Sequence, residues 1–532
     1  MLARVFVVIT FFVSIALPSF SQVSIIPEPV SLQQKEGVYN LKTQIVIEEG
    51  STNLAVKKIA DWLKEKLSVT GLPVSIASSA GKADIHFSLN KTANNTIGKE
   101  GYQLSVSANN GVTIIANEPA GLFYGVQTLL QLLPPAIESK LPDARWHDVP
   151  NKFIEDQKKI SWSIPVVEIT DYPRFGWRGL MFDISRHFFN KEQVKQFIDA
   201  MVKYKYNLLH LTLANDEGWR VEIKALPKLT SVGAWNVKRV GTFGNFIPPT
   251  DDEPRDYGGF LSQDDIKELV QYAKDRFINI LPEIDVPGHS LAAIASYPEL
   301  SCTPGAEKYK VRSGEKIMEW PANGHFYALV DNTMCPANEK VYTFLDKVFT
   351  EVAQLFPFEY IHVGGDECAK NFWEKNPQVL ELMKKENLKT MDEVQSYFEK
   401  RVEKIVESKG KKVIGWDEIL EGGLAPNAAV MSWRGIKGGI EAAKQGHEVV
   451  MSPTTFAYLD YMQSDKIIEP PVYASLRLSK SYEFEPVPDG VNPKYIKGGQ
   501  ANLWTEQVYN MRHAEYMTWP RAFAIAESVW SP

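Results

Sequence analysis

Residues 360–367 read Tyr-Ile-His-Val-Gly-Gly-Asp-Glu. A short β-rich run, Tyr360 to Val363, gives way to two glycines, and two carboxylates follow side by side, Asp366 and Glu367. Paired glycines let the backbone bend where side chains would block it. Two acids at the mouth of such a turn cannot both ionise cheaply, and that is how an enzyme draws one acid and one base from two carboxyls. Taken alone, the segment also reads as a solvated turn, because Asp and Glu are mostly exposed. The company it keeps decides between the two.

From about Arg174 onward the same rhythm recurs: a short apolar run, a polar or glycine-containing loop, then a helical pattern. The runs are 179–183, 208–213, 278–284, 360–363, 412–415, 429–432, 448–451 and 498–503. Helical patterns over 192–204, 263–277, 341–355, 393–408 and 436–445 separate most of them. Eight strand–helix units in roughly 360 residues predict an α/β fold, a (β/α)8 TIM barrel. Ahead of it, residues 85–89 and 104–106 alternate as strands do, Asn110-Gly111 signals a hairpin and 112–115 resumes the strand pattern. Pro119 opens a helical stretch, 120–133, with Leu122, Val126, Leu129, Leu130 and Leu133 on one face. This is a small α+β domain without convergent acids, and a supporting role follows. The expected organisation is an export signal over 1–21, the α+β domain over 22–171 and the barrel over 172–532.

The composition fits that size. The chain has 532 residues, 44% of them hydrophobic, with 13 Trp, enough for a large core and a second unit. A net charge of −7 and no basic run argue against nucleic acid or an anionic membrane surface as partner. Arg4, the apolar run 5–17 and Ser19-Phe20-Ser21 before Gln22 read as a cleavable signal too short to span a bilayer. No Cys lies near the cut, which argues against a lipid anchor, and no later stretch approaches membrane-spanning length. An exported protein, periplasmic or secreted, is the expectation. Of three cysteines, Cys302 and Cys335 bracket a long loop and could pair in an oxidising compartment, while Cys368 reads as a packed, inert thiol.

In a barrel of this type chemistry sits at the carboxyl ends of the strands. The first run is followed by Asp183 and Arg186, the second by Asn215-Asp216-Glu217-Gly218-Trp219-Arg220, and the third by Asp285 and, a few residues on, His289. The fourth carries Asp366 and Glu367, the fifth Trp416-Asp417-Glu418 and the sixth Ser432-Trp433-Arg434. The seventh leads to Tyr458-Leu459-Asp460 and the eighth gives Trp504-Thr505-Glu506. Three Trp and a Tyr on one rim, each beside a carboxylate or Arg, suit a sugar ring: apolar C–H faces against indole, hydroxyls against carboxylates.

With these residues in place the chain resembles glycoside hydrolase family 20, the β-N-acetylhexosaminidases, from Ile26-Pro27-Glu28-Pro29 to Trp530-Ser531-Pro532. His-Val-Gly-Gly-Asp-Glu, Gly-Trp-Asp-Glu, Ser-Trp-Arg-Gly, Tyr-Leu-Asp and Asn-Leu-Trp-Thr-Glu occur in that order. The resemblance implies exo-acting, retaining, substrate-assisted catalysis, in which the 2-acetamido oxygen of the substrate attacks the anomeric carbon to form an oxazolinium-like intermediate. Glu367 would protonate the leaving oxygen and then activate water; Asp366 would stay ionised and orient the acetamido N–H. Tyr458 would aim the acetamido oxygen, Trp416, Trp433 and Trp504 would wall the pocket, and His289 would support the acidic pair. Arg186, Asp460 and Glu506 would grip the ring hydroxyls. The implied partner is an oligosaccharide or glycoconjugate ending in β-linked GlcNAc or GalNAc, and no metal or organic cofactor is implied.

One segment departs from the family. Where relatives commonly read His-Leu-Thr-Asp-Asp-Gln-Gly-Trp, this chain has Thr212-Leu213-Ala214-Asn215-Asp216-Glu217-Gly218-Trp219. An amide at 215 cannot supply negative charge, so an altered proton affinity around His289 and Glu367 is expected. Two other readings compete. A sugar-binding protein without activity would keep the aromatic wall, but has little reason to keep Asp366, Glu367 and Tyr458 together. A metal-dependent barrel hydrolase would use His289, His362, Asp285 and Asp366, but Asp183-Ile184-Ser185-Arg186 offers no His-x-His pair to begin a metal site.

Overall fold

The runs that the sequence spaces between helical patterns close on one another. In the computed structural model, which describes residues 22–532 except 80–82, 140–154, 240, 243, 321–325 and 470–471, eight parallel strands form a closed barrel. They are β1 Trp177–Asp183, β2 Leu208–Thr212, β3 Asn279–Glu283, β4 Tyr360–His362, β5 Lys412–Trp416, β6 Ala429–Ser432, β7 Val449–Met451 and β8 Ile496–Leu503. Each falls on one of the eight predicted runs. Neighbours in sequence are neighbours in the barrel, and β8 closes onto β1 with Leu503 opposite Phe182. Glu283 stands opposite both Thr212 and His362, so the carboxyl ends of β2, β3 and β4 lie level.

Barrel strands are covered on both faces, which is why they read as continuous apolar runs rather than alternating ones. Their inward side chains, among them Trp177, Met181, Leu281, Tyr360, Ile414 and Met431, fill the barrel as a cluster distinct from the larger core under the helices. The predicted helices form over Lys191–Lys203, Gln263–Lys274, Glu339–Leu355, Met391–Ser408 and Lys437–Lys444. Two of them begin in reciprocal caps: Asn190 with Gln193, and Ser262 with Asp265.

The preceding domain is a seven-stranded mixed sheet. Its strand order is Ser31–Asn40, Ser163–Asp171, Tyr102–Ser107, Gly111–Ala116, Ile85–Leu89, Ile45–Glu48 and Val74–Ala77. The sequence pattern located three of these strands and the helix Pro119–Leu132. It missed Ser31–Asn40, which is polar and mostly exposed and becomes a strand only by pairing with Ser163–Asp171 more than a hundred residues away. Helix Pro119–Leu132 is buried nearly all round because the barrel covers its outer face: Phe123 packs on Phe277 and Tyr124 on Trp530. Two ion pairs cross this interface, the fully buried Lys205 Nζ to Asp171 at 2.7 Å and the half-buried Arg178 to Glu100 at 2.7 Å.

Cys302 and Cys335 are disulfide-bonded, and Cys368 is free and buried. The export segment expected over 1–21 lies outside the described residues. Among the described residues no helix is long and apolar enough to cross a membrane.

Candidate active site

The turn after β4 is built on its glycines. Gly364 and Gly365 have φ of 69° and 94°. A Cβ on Gly364 would lie 1.8 Å from Asp285 Oδ1, and one on Gly365 2.6 Å from a methyl of Ile419. Only glycine fits both the backbone and the space. The turn is pinned from three sides: Gly365 N–H donates to Asp285 Oδ1 (3.4 Å), Gln395 Nε2 donates to Gly365 O (2.7 Å), and Val286 N–H donates to Val363 O (3.0 Å). Glu367 itself is held at φ 47°, a left-handed conformation that costs a non-glycine residue energy and that recurs at functional sites.

His289, also left-handed at φ 46° and buried, joins the acids. Its Nε2 lies 3.3 Å from Glu367 Oε2 and 3.8 Å from Asp366 Oδ2, and its Nδ1 lies 3.0 Å from Asp216 Oδ2. Burial opposes charge on the ring, but the hydrogen bond to Asp216 and the Glu367 carboxylate beside Nε2 outweigh it and raise the imidazole well above its ordinary value. Burial pushes Asp366 up to about 7, with His289 pulling down and Glu367 pushing up. Asp366 therefore holds its proton more tightly than an ordinary aspartate. The Glu367 side chain is the more accessible of the two, 23% exposed against 11% for Asp366.

Asn215 stands one residue from the acid that meets the histidine. The acid that faces His289 is Asp216, present in this chain and held by Leu291 N–H (3.0 Å) and Asn332 Nδ2 (3.1 Å). Asn215 points elsewhere, its Nδ2 donating to Asp285 Oδ2 at 3.3 Å. Negative charge beside the imidazole is thus supplied despite the amide. Asp216 and Glu217 are the two turn residues of a tight hairpin, Ala214–Asn215 against Gly218–Trp219. A motif laid out as a line conceals which of two neighbours turns toward the histidine.

The aromatic residues at the ends of β5 to β8 gather in one cluster at the mouth of the barrel interior. Trp416 and Trp504 have ring centroids 5.7 Å apart, and Trp433 stacks on Tyr458 at 5.9 Å and 21°. Polar anchors fix the indoles: Trp416 Nε1 donates to Glu283 Oε1 (2.9 Å) and Trp433 Nε1 to Glu418 Oε2 (2.7 Å). Burial raises the Tyr458 hydroxyl well above its ordinary value, so it is a neutral donor. On the far side, the Arg186 guanidinium lies 4.8 Å over Trp504 and pairs with Glu217 (3.3 Å), Asp183 (3.5 Å) and Glu506 (3.9 Å). Asp460 is buried, accepts a long hydrogen bond from Tyr473 (3.4 Å), and is raised by burial and by Glu506.

All ten sequence-predicted site residues thus stand at the carboxyl ends of the strands. They group as the acidic pair with His289, the Trp416–Trp504 and Trp433–Tyr458 walls, and the Arg186, Asp460 and Glu506 rim. Missed were Glu283, Asn332, Arg312 and Tyr473, which act through tertiary contacts that no local motif announces. Among the described residues two sets could hold a cation: His210, Glu283 and His362, and separately Asp285, His289 and Asp366, each with ligand atoms within 4.8 Å. The four residues of the metal-dependent reading are therefore divided. His362 sits in the barrel interior, 3.1 Å from Glu283, with Nδ1 accepting from Gly364 N–H. Cys368 is buried and its thiol raised by that burial, as a packed thiol should be.

Residues 175–532 match the family model for the glycosyl hydrolase family 20 catalytic domain, and residues 22–172 that for the same family's domain 2. A beta-hexosaminidase of Porphyromonas gingivalis is 36% identical over 526 residues, covering 97% of this chain, which spans 62% of that relative's length. One from Vibrio furnissii is 34% identical over 95% of this chain and 76% of its own. Among solved structures, Streptomyces plicatus N-acetyl-β-hexosaminidase in complex with thio-NAglucal superposes with a TM-score of 0.78 at 32% identity, covering 96% of this chain and 90% of that one.

Proposed function

The chain belongs to glycosyl hydrolase family 20, and from that premise we propose that it is an exo-acting, retaining β-N-acetylhexosaminidase that works by substrate-assisted catalysis. The observation that carries this reading is that one imidazole nitrogen, Nε2 of His289, reaches both Glu367 and Asp366. Carboxyls on one turn flank the same side of a substrate, whereas an ordinary retaining glycosidase sets acid and nucleophile across the scissile bond. The nucleophile then has to come from the substrate.

Glu367, the more accessible acid, gives its proton to the glycosidic oxygen as the bond to the anomeric carbon breaks. The acetamido oxygen forms the new bond to that carbon, aimed by the Tyr458 hydroxyl inside the wall of Trp416, Trp433 and Trp504. Asp366, when ionised, accepts from the acetamido N–H and balances the positive charge that develops on the ring formed. Water next attacks the anomeric carbon, Glu367 takes its proton, and the acetamido group is regenerated with net retention. Arg186, Asp460 and Glu506 hold the ring hydroxyls of the terminal sugar. The substrates of this reading are oligosaccharides or glycoconjugates ending in a β-linked N-acetylhexosamine, cleaved from that end. The apolar run and small-x-small site within 1–21, with a disulfide that favours an oxidising compartment, support export to the periplasm or medium.

The test is hydrolysis of an aryl N-acetyl-β-glucosaminide. The parent protein should release GlcNAc with or without chelator, and Glu367→Gln should lower kcat by about 10²–10⁴. Binding of GlcNAc without turnover would favour a sugar-binding protein on the same fold, and loss of turnover in chelator would favour a metal-assisted reaction at Asp285, His289 and Asp366.

A further inference from the structure

Arg186 is held mostly from behind. Its Nε and Nη1 are sealed from solvent without a directed hydrogen bond among the described residues, and Nη2 turns toward Glu506. What keeps the guanidinium in place is charge, and the nearest carboxylate is Glu217, 3.3 Å from Nε. Glu217 is 1% exposed and cannot meet a sugar. It is clamped from its other side by Arg312, whose Nη1 lies 2.9 Å from Glu217 Oε1. Burial pushes the Glu217 carboxyl up to about 7 while the two guanidiniums pull the other way, so its ionised form rests on these two partners.

Arg312 belongs to the loop closed by the Cys302–Cys335 disulfide. It is seated on the hairpin by backbone as well, Arg312 N–H donating to Asp216 O at 3.1 Å, and its side chain is fixed within the loop by Nε donating to Glu315 O at 2.8 Å. The hairpin turn is fixed from the opposite side by Asn236, whose Nδ2 donates to Glu217 O at 2.9 Å. The carboxylate therefore lies between one arginine of the site and one arginine of the loop, held by charge rather than by directed hydrogen bonds among the described residues.

We propose that Glu217 is a positioning residue for Arg186, and that Arg312, Glu217 and Arg186 form a buried relay through which the disulfide-closed loop sets the guanidinium that meets the ring hydroxyls of the terminal sugar. This rests on the hexosaminidase reading, since it assigns the sugar end of that same site. Removing the middle charge leaves two arginines facing each other across a neutral amide and frees Arg186 to swing toward Asp183 or Glu506. A hydroxyl then meets a guanidinium that is present but misplaced. Charge-assisted hydrogen bonds are about twice as strong as neutral ones and depend on geometry, so the loss should appear in binding rather than in bond cleavage.

The experiment compares an aryl N-acetyl-β-glucosaminide with its 3-deoxy and 4-deoxy analogues on the parent, Glu217→Gln, Arg312→Met and the double variant. The expected result for Glu217→Gln is a KM about tenfold higher on the full substrate, with kcat within about twofold, and a much smaller penalty for removing the hydroxyl. Arg312→Met should do the same, and the double variant should be no worse than either alone, because the residues act as one unit. A Glu217→Gln enzyme with parental KM and parental deoxy penalty would overturn the relay, as would additive losses in the double variant. Should Glu217→Gln fail to fold, Arg312→Met reads the same relay from its outer end. If the parent turns over none of these substrates, the hexosaminidase reading fails instead. The relay is then read by calorimetry, as a preference for GlcNAc over its deoxy forms that Glu217→Gln either abolishes, in support, or leaves intact, against it.

Discussion

Asp366 and Glu367 are neighbours in the chain but not in environment. Asp366 is drawn under the turn, and burial lifts it to about 7 against the pull of His289. Glu367 reaches further out, with His289 behind it. If Asp366 must be ionised to receive the acetamido N–H, activity is present above its pKa and lost as pH falls through it. The profile of kcat/KM, which reports the free enzyme, should therefore show an acidic limb near pH 7; a profile flat down to pH 5 would contradict this role. At this scale the sequence was informative about residue types and silent about direction. The adjacency of the two acids and the rim of Trp416, Trp433, Tyr458 and Trp504 could be read from motifs. Which of Asn215 and Asp216 faces His289 could not, because a hairpin turn sends the two side chains different ways.

Among the elements, β4 and its glycine turn carry the strictest demand. Gly364 at φ 69° leaves no room for a side chain, and the nearest obstacle is the Asp285 carboxylate that also receives Gly365 N–H. Gly364→Ala should lower kcat/KM by about 10² or more by shifting the acidic pair, since displacements near 1 Å have that effect, while the far-ultraviolet circular dichroism stays that of the parent. Parental activity in a folded Gly364→Ala protein would mean that the turn does not set the acids. All eight barrel strands were legible because burial on both faces leaves an apolar run in the sequence. The loop between Cys302 and Cys335 was not. It contributes Arg312 and Asn332 to the hairpin, but it has no periodicity, and its role exists only in contacts with residues about a hundred positions away.

The whole molecule is two domains locked by buried charge. Lys205, left-handed at φ 62°, sends its ammonium 2.7 Å from Asp171 and 3.0 Å from the Tyr102 hydroxyl, with both charged partners fully buried. Asp171 also receives Trp530 Nε1 at 2.9 Å, so a single carboxylate ties the sheet of the first domain to the end of the barrel. Replacing one member of such a pair leaves the other charge buried and alone, at a cost of about 3–5 kcal/mol. Lys205→Met should lower the midpoint of thermal unfolding by several degrees while leaving kcat near the parental value; an unchanged midpoint would show that the domains are not held there. Composition and turn signals revealed that a smaller α+β domain precedes the barrel. How the two are joined was not legible, since neither Lys205 nor Asp171 differs in sequence from a surface charge.

The most direct measurement is the ratio of rates on two aryl β-glycosides that differ only at the 2-position, one acetamido and one hydroxyl. Substrate-assisted catalysis predicts turnover of the acetamido compound and, under the same conditions, almost none of the hydroxyl compound, whose 2-position offers no acetamido oxygen. Comparable rates on both would mean that the protein provides its own nucleophile, and would contradict the proposed roles of Asp366 and Tyr458.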